Sequence, residues 1–319
     1  MRHIAFFIAC LGSFTFNACS SADEPAPPDA APVTTVPRSP AGEFAVITRL
    51  DLEPPPAAQK VIIALDRAAS DPSRFILDKM VATLPDGTTK TVVRAAVPFV
   101  AAYLDTKLAT IAPKFVPGIR AISSGFARIA SHVELLEGWR VEPAGYAVRT
   151  IGGVRFDVGP LAVIELAARG LPDIIATPRV SLDETGQLTV PAHTISLRYG
   201  AIVRAGLDLA VVPSAEPGSH DVASALSTLV DCAGLGQLVA DKVGFGSPLL
   251  YRGACITAMV AVADELHAQV VAIDAAPLVL ELAGGATGVD NDHDGSMDVI
   301  KNGRWSGTVT ATFAGARAP

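Results

Sequence analysis

The chain has 319 residues, half of them hydrophobic and only 18% charged, with a formal charge of −7 at neutral pH. An acidic chain without a basic cluster makes a poor nucleic-acid binder. Beyond the N-terminus no run of about 18 or more apolar residues exists, since Ala254 to Ala283 is broken by Asp264, Glu265, His267, Gln269, Asp274 and Glu281; a membrane span in the mature chain is not expected, and the apolar excess must enter a large core or line an apolar cavity.

The N-terminus reads as a secretory signal over residues 1–18: Arg2, an apolar stretch from Ile4 to Phe16, then Asn17, Ala18, Cys19, Ser20 and Ser21. Phe16-Asn17-Ala18-Cys19 resembles the lipobox of bacterial lipoprotein precursors, with a small residue just before the cysteine. That resemblance implies diacylglyceryl attachment to Cys19, cleavage directly before it, and a protein held to a membrane through its lipid. The family more often has Leu where Phe16 stands and a small residue where Asn17 stands. A rival cut after Ala22, following Ser20-Ser21-Ala22, would release the protein instead. Ser20 rather than Asp follows the cysteine, which by resemblance to enteric lipoproteins implies the outer membrane, facing the periplasm or cell surface. Residues 19–41 carry Pro25, Pro27, Pro28, Pro32, Pro37 and Pro40 among small polar residues, the composition of a disordered tether. Residues 42–319 form a single α+β domain. Loss of Arg2 with the signal makes the charge −8.

Cys10 leaves with the signal and Cys19 takes the lipid, so Cys232 and Cys255 remain and are expected to form a disulfide. Closing a loop of about 24 residues contributes roughly 3 kcal/mol in the chain-entropy model. No C-x-x-C spacing suggests redox chemistry.

Helical periodicity opens the domain. Val61, Ile62, Leu65, Ala68 and Ala69 share one face, and Ser70-Asp71-Pro72 restarts a helix with Ile76, Leu77, Met80, Val81 and Leu84. A third stretch after Pro85-Asp86-Gly87 carries Val100, Leu104, Leu108 and Ile111. The clearest helix has Phe115, Ile119, Ile122, Phe126, Ile129, Val133 and Leu136 spaced by alternating fours and threes.

From Trp139 the period becomes two. Val154, Phe156 and Val158 follow Gly152-Gly153, a candidate hairpin turn, and a second hairpin joins Val180 and Leu182 to Leu188 and Val190. The longest alternation, Ile195 to Val211, is read as a strongly curved strand or two strands, with Gly200 and Gly206 as bulge points. Helices return at Val222–Val230 and Ile256–Ile273, so the disulfide should join the end of one to the start of the next. Strands at Leu278–Leu282 and Trp305–Phe313 close the chain. The fold is thus α+β: amphipathic helices packed on a curved antiparallel sheet, a disulfide-stapled helix pair and a C-terminal hairpin.

That hairpin contains Asp290-Asn291-Asp292-His293-Asp294-Gly295-Ser296-Met297-Asp298. Alternate carboxylates with Gly at the sixth position let a tight loop wrap oxygens around a hard cation. The run resembles the calcium loops of EF-hands and, with Asp298 at the ninth position, of thrombospondin type 3 repeats. The resemblance implies Asp290, Asp292, Asp294 and Asp298 as side-chain ligands of Ca²⁺ and Ser296 as a carbonyl ligand. The twelfth position, where an EF-hand has a bidentate Glu, is Lys301, and flanking helices are missing. The expected role is structural.

No G-x-S-x-G, H-E-x-x-H, phosphate loop or complete dinucleotide fingerprint occurs; Gly234-Leu235-Gly236 is a fragment. His132 with Glu134 and His267 with Asp264 are pairs at spacings common by chance. The expectation is a non-enzymatic envelope lipoprotein that binds a hydrophobic ligand or lipid. Its layout resembles the tubular lipid-binding superfamily, which includes bactericidal permeability-increasing protein, through architecture and apolarity rather than any motif. The alternative is a structural or adhesive envelope protein that binds another protein; a hydrolase would need a His and a carboxylate converging in a cleft. The discriminating feature is whether the Ile195–Val211 face is packed by helices or lines a void above roughly 300 Å³.

Overall fold

The computed structural model describes residues 35–158, 162–275 and 277–319. The signal, Cys19 and most of the tether lie outside the described residues.

The first element is a strand the periodicity did not suggest, β1 (Gly42–Asp51), which turns Phe44, Val46, Thr48 and Leu50 inward. Helices α1 (Pro56–Ser70) and α2 (Pro72–Thr83) each begin with proline, whose missing N–H costs nothing at a helix start. They bury the expected Val61, Leu65, Ile76, Leu77 and Met80. Gly87, at φ 138, turns the chain into α3 (Thr88–Ile111).

Helix α4 (Phe115–Ile129) buries the stripe Phe115, Ile119, Ile122, Phe126 and Ile129, but it ends seven residues before Leu136. Val133 fits both a helical and a two-residue period. The ladder with β1, running from Asp51↔His132 to Gly42↔Val141, decides for β2 (His132–Val141). Strand β3 (Ala147–Phe156) carries Gly152-Gly153 in its interior, not in a hairpin turn: Leu136 pairs with Gly153 and Glu137 with Ile151, leaving Gly152 as a bulge. Short strands β4 (Ala162–Glu165), β5 (Ile174–Ala176) and β6 (Ser181–Leu182) follow, and the expected turn leads into β7 (Gln187–Leu197).

The long alternation is strand only as far as Leu197. The remainder is α5 (Tyr199–Gly206), a π-helical turn over Leu207–Val211, and α6 (Val212–Ala215). Tertiary contacts settle this. The Asp274 carboxylate accepts the amides of Gly200 at 2.6 Å and Ala201 at 2.9 Å, satisfying the open N–H groups of a helix start. The glycines are close-approach points, not bulges: a Cβ on Gly206 would sit 2.7 Å from the Phe156 ring.

Helix α7 (Val222–Leu229) opens with a capping box between Asp221 and Ser224, and Asp231 caps α8 (Cys232–Val243). Helix α9 (Pro248–Ala272) packs against α1, α2, α5, α7 and α8. By length and composition Pro248–Ala275 is apolar enough to cross a membrane, but Tyr251, Ala254, Cys255, Ala258, Met259, Val262 and Leu266 are buried in these helix contacts. The Cys232–Cys255 disulfide is present, with Cα atoms 5.6 Å apart. It joins the start of α8 to the interior of α9, not the end of one helix to the start of the next.

Three long strands close the chain: β8 (Leu278–Val289), β9 (Val299–Gly307) and β10 (Ala311–Arg317). The ladders between these strands are antiparallel, in the order β4-β3-β2-β1-β10-β9-β8-β7-β6, and β5 adds to β3. The single segment 174–182 touches both ends of this order, since Ala176 pairs with Arg149 of β3 and Ser181 pairs with Thr189 of β7. The sheet therefore curls into a barrel-like wall, in keeping with the expected curvature, and α4 and α5 contact it at β2 and β4. The fold is α+β with one continuous hydrophobic core.

Candidate functional site

The acidic loop joins β8 to β9. Its carboxylates are organised by its own backbone: Asp290 Oδ1 accepts from the His293 amide at 2.7 Å and Oδ2 from Gly295 at 2.9 Å. Asp292 Oδ1 accepts from Asp294 N at 3.1 Å, and Asp294 Oδ1 from Ser296 N at 2.6 Å. The wrap needs left-handed backbone at His293 (φ 66) and Gly295 (φ 86). Partial desolvation pushes the Asp290 carboxyl up, but the two amides and the Thr35 hydroxyl outweigh it and hold it below the usual carboxylate range.

Oxygens of Asp290, Asp292 and Asp294 lie within 4.8 Å of one another, the only such group of His, Cys, Asp or Glu side chains among the described residues. Asp298 is not in that triad. Its Oδ2 accepts from Asn291 N at 2.8 Å, and its Oδ1 lies 3.5 Å from Arg317 Nε. An all-oxygen donor set suits a hard cation such as Ca²⁺, and cation binding would relieve a repulsion of roughly 1 to 4 kcal/mol per carboxylate pair at such spacing near the surface.

The last residues of the expected tether are ordered on this loop. Thr35 Oγ1 donates to Asp290 Oδ2 at 3.1 Å, the amides of Arg38 and Ser39 donate to the Gly295 carbonyl at 2.8 and 3.1 Å, and Met297 N donates back to the Ser39 carbonyl at 3.0 Å. Residues 35–41 thus belong with the domain, because the loop offers backbone partners that a free Pro-rich segment lacks. Arg317 Nη2 adds bonds to the carbonyls of Met297 at 3.0 Å and Ala41 at 3.3 Å.

A second polar assembly lies inside the barrel and was not foreseen. Arg149 Nε and Nη2 donate to the two oxygens of Glu137 at 2.6 and 2.7 Å, with both side chains buried. Trp139 Nε1 also donates to Glu137 at 2.7 Å. The guanidinium stacks 4.7 Å from the Trp305 ring centre, and Trp305 stacks on Phe313 at 4.4 Å. Arg149 Nη1 reaches His193 Nε2 at 3.0 Å. A bulge in β7 puts both Val190 and His193 on the inner side, where His193 meets the Trp305 ring edge-on at 5.5 Å. The available signal was a charged residue at an inward position of an alternating strand: Glu137 between Leu135 and Trp139, Arg149 between Ala147 and Ile151.

The pairs considered for acid–base chemistry are rearranged. His132 meets Asp51 at 2.7 Å, whereas Glu134 pairs with Arg49 and Arg155. His267 faces Asp208 of the π-helical turn at 3.5 Å, and Asp264 is exposed. Burial raises the Asp208 carboxyl above its usual range. Among the described residues no hydroxyl or thiol hydrogen-bonds to either histidine.

Of the alternating face from Ile195 to Val211, Ile195, Leu197, Tyr199, Val203, Leu207 and Val211 are buried in the common core, Ala201 and Ala205 pack partly buried against it, and Leu209 is exposed. An open groove of ≈ 500 Å³ lies elsewhere, over Thr189, Pro191, Gly284, Gly285, Arg304 and Trp305, and a smaller one of ≈ 230 Å³ lies between α1, α2 and α9. Comparison with family models, with curated proteins and with solved structures finds no match to this chain.

Proposed function

We propose that this chain is a non-enzymatic envelope lipoprotein, anchored through Cys19, whose calcium-pinned domain acts by binding another protein at its surface. The observation that carries the choice is that six of the nine residues of the Ile195–Val211 face are buried in the common core. A carrier of a hydrophobic ligand needs an apolar cavity, and most of the face assigned to it is taken up by contacts with the protein's own side chains. A calcium role is supported by the docking of residues 35–41 on the acidic loop: a cation among Asp290, Asp292 and Asp294 would stiffen the point where the tether enters the domain. Large apolar side chains exposed on the helical layer, including Phe99 at 80% and Leu249 at 75%, favour a protein partner over a purely mechanical role. Enclosure of a lipid is the second reading, favoured by the apolar floor of the α1–α2–α9 groove, with Val61, Leu65, Phe75, Val262 and Leu266.

Native mass spectrometry of the full chain, expressed with its leader and extracted from the envelope fraction, separates these readings. The expected result is a mature mass beginning at an acylated Cys19, a calcium increment lost to chelator, and no further adduct. A lipid-sized adduct released on denaturation would replace the surface-binding reading with the carrier reading. A mass without calcium would remove the metal from the proposal, and cleavage after Ala22 would remove the anchor.

A further inference from the structure

The barrel closes by unequal means. From β3 round to β7 each neighbour is joined by an antiparallel ladder, but the return from β7 to β3 runs through the short segment 174–182. Beyond Thr189, β7 has no ladder on that side among the described residues, although β5 packs beside it. Pro191 has no amide hydrogen to offer there, and the bulge at Val190–His193 twists the strand further. The hydrogen bond from Arg149 Nη1 to His193 Nε2 links β3 to β7 under this unladdered seam.

That bond constrains the protonation of His193. Its Nδ1 lies 3.0 Å from the Pro191 carbonyl, which only accepts, so Nδ1 carries the hydrogen. Nε2 faces a guanidinium, which only donates, so Nε2 must be bare. The ring is neutral in this arrangement. We infer that His193 is a pH-operated latch: neutral, it accepts from Arg149 and holds the seam shut; protonated, it is driven off the guanidinium and the seam between β5 and β7 opens.

The groups facing the ring support this. The charged ones are Arg149 from β3 and Glu137 from β2. Glu137 attracts a second cation and the Pro191 and Leu282 backbones favour one, but burial and the Arg149 charge outweigh them, and both Glu137 oxygens are already hydrogen-bonded by Arg149 and Trp139. β8 offers the Leu282 backbone, β9 the Trp305 ring, and β5 contributes Ile174, Ile175 and Ala176, none of which titrates. Burial first, and the Arg149 charge second, hold the His193 pKa below the ordinary histidine value. The sign follows from that depression. The seam is fully stable above about pH 6.5 and weakens as pH falls below it, because the released ring takes up a proton that the closed seam refuses. The ring is only half-buried and so has a path to solvent, and its pairing with Leu282 on the β8 side can persist.

The chain's two tryptophans, Trp139 and Trp305, both border this cluster, so intrinsic fluorescence of the full chain reports on it directly. Titration from about pH 7.5 to about 4.5 should give a reversible red shift with far-UV circular dichroism unchanged. His193→Gln, whose amide oxygen accepts from Arg149 at every pH, should abolish the shift. An unshifted wild-type spectrum, a shift accompanied by loss of secondary structure, or a wild-type transition in His193→Gln each overturns the latch. If that variant does not fold, NMR of the wild-type imidazole decides: His193 titrating below about 6.5 in step with the tryptophan signal supports the latch, and titration at or above that value overturns it.

Discussion

The acidic loop and the barrel interior solve the same electrostatic problem in opposite ways. In the loop, Asp290, Asp292, Asp294 and Asp298 lie within nine residues, and their oxygens are met by backbone amides of the same loop. In the interior, Glu137 and Arg149 from two strands neutralise each other away from water, and half-buried His193 from a third caps Arg149. The loop's charge is met by its own amides and, under the proposed calcium role, would be completed by an ion. The interior completes its own charge and depends on every member staying in place.

Removing one member of the interior cluster should therefore have the largest effect. Glu137→Gln leaves the Arg149 cation buried without a counter-charge and should destabilise by about 3–5 kcal/mol in urea unfolding. A loss below about 1 kcal/mol would mean that the barrel admits water to Arg149 and would erase the contrast with the loop.

The staple between α8 and α9 comes next. Cys232→Ser with Cys255→Ser should cost about 3 kcal/mol, read from the same unfolding curves in oxidising buffer. An unchanged midpoint would show that the α8–α9 packing holds without the covalent link.

Under the proposed calcium role the loop should respond to added calcium. At about 100 times the dissociation constant, calcium should add about 2.7 kcal/mol to stability, visible as a rise in Tm that chelator reverses. Asp290→Asn should remove the calcium response, since Asp290 both organises the loop and receives Thr35. A calcium-independent Tm in the wild type would leave the loop as an acidic turn stabilised by its amides alone.

The smallest effect is expected at Asp208, a half-buried carboxylate facing His267. Burial raises its folded-state pKa, so the folded chain holds the proton more tightly than the unfolded one, and stability falls as pH rises from the usual Asp value through the folded one. Asp208→Asn should flatten that part of the pH–stability curve while changing stability at neutral pH by no more than about 1 kcal/mol. A steeper curve in the variant would show that the His267 attraction outweighs the burial.

Where each feature could be read follows from where its cause lies. The α4 stripe, the proline-started α1 and α2, the Asp290–Asp298 motif and the cysteine count that paired Cys232 with Cys255 could be read from the sequence alone. Val133 and Leu136 fit a helix as well as a strand, and only the ladder with β1 made them β2. Ile195 to Val211 alternates like a strand throughout, yet Asp274, dozens of residues away, caps Gly200 and Ala201 and turns its second half into helix. Inward-facing Glu137 and Arg149 were written as charges in apolar alternations, but their meaning required β2, β3 and β7 to meet. Helix caps, stripes and ion loops are fixed by neighbours a few residues apart, which the chain order preserves. Ladders, close approaches and buried charge clusters are fixed by distant neighbours, and these exist only once the barrel has closed.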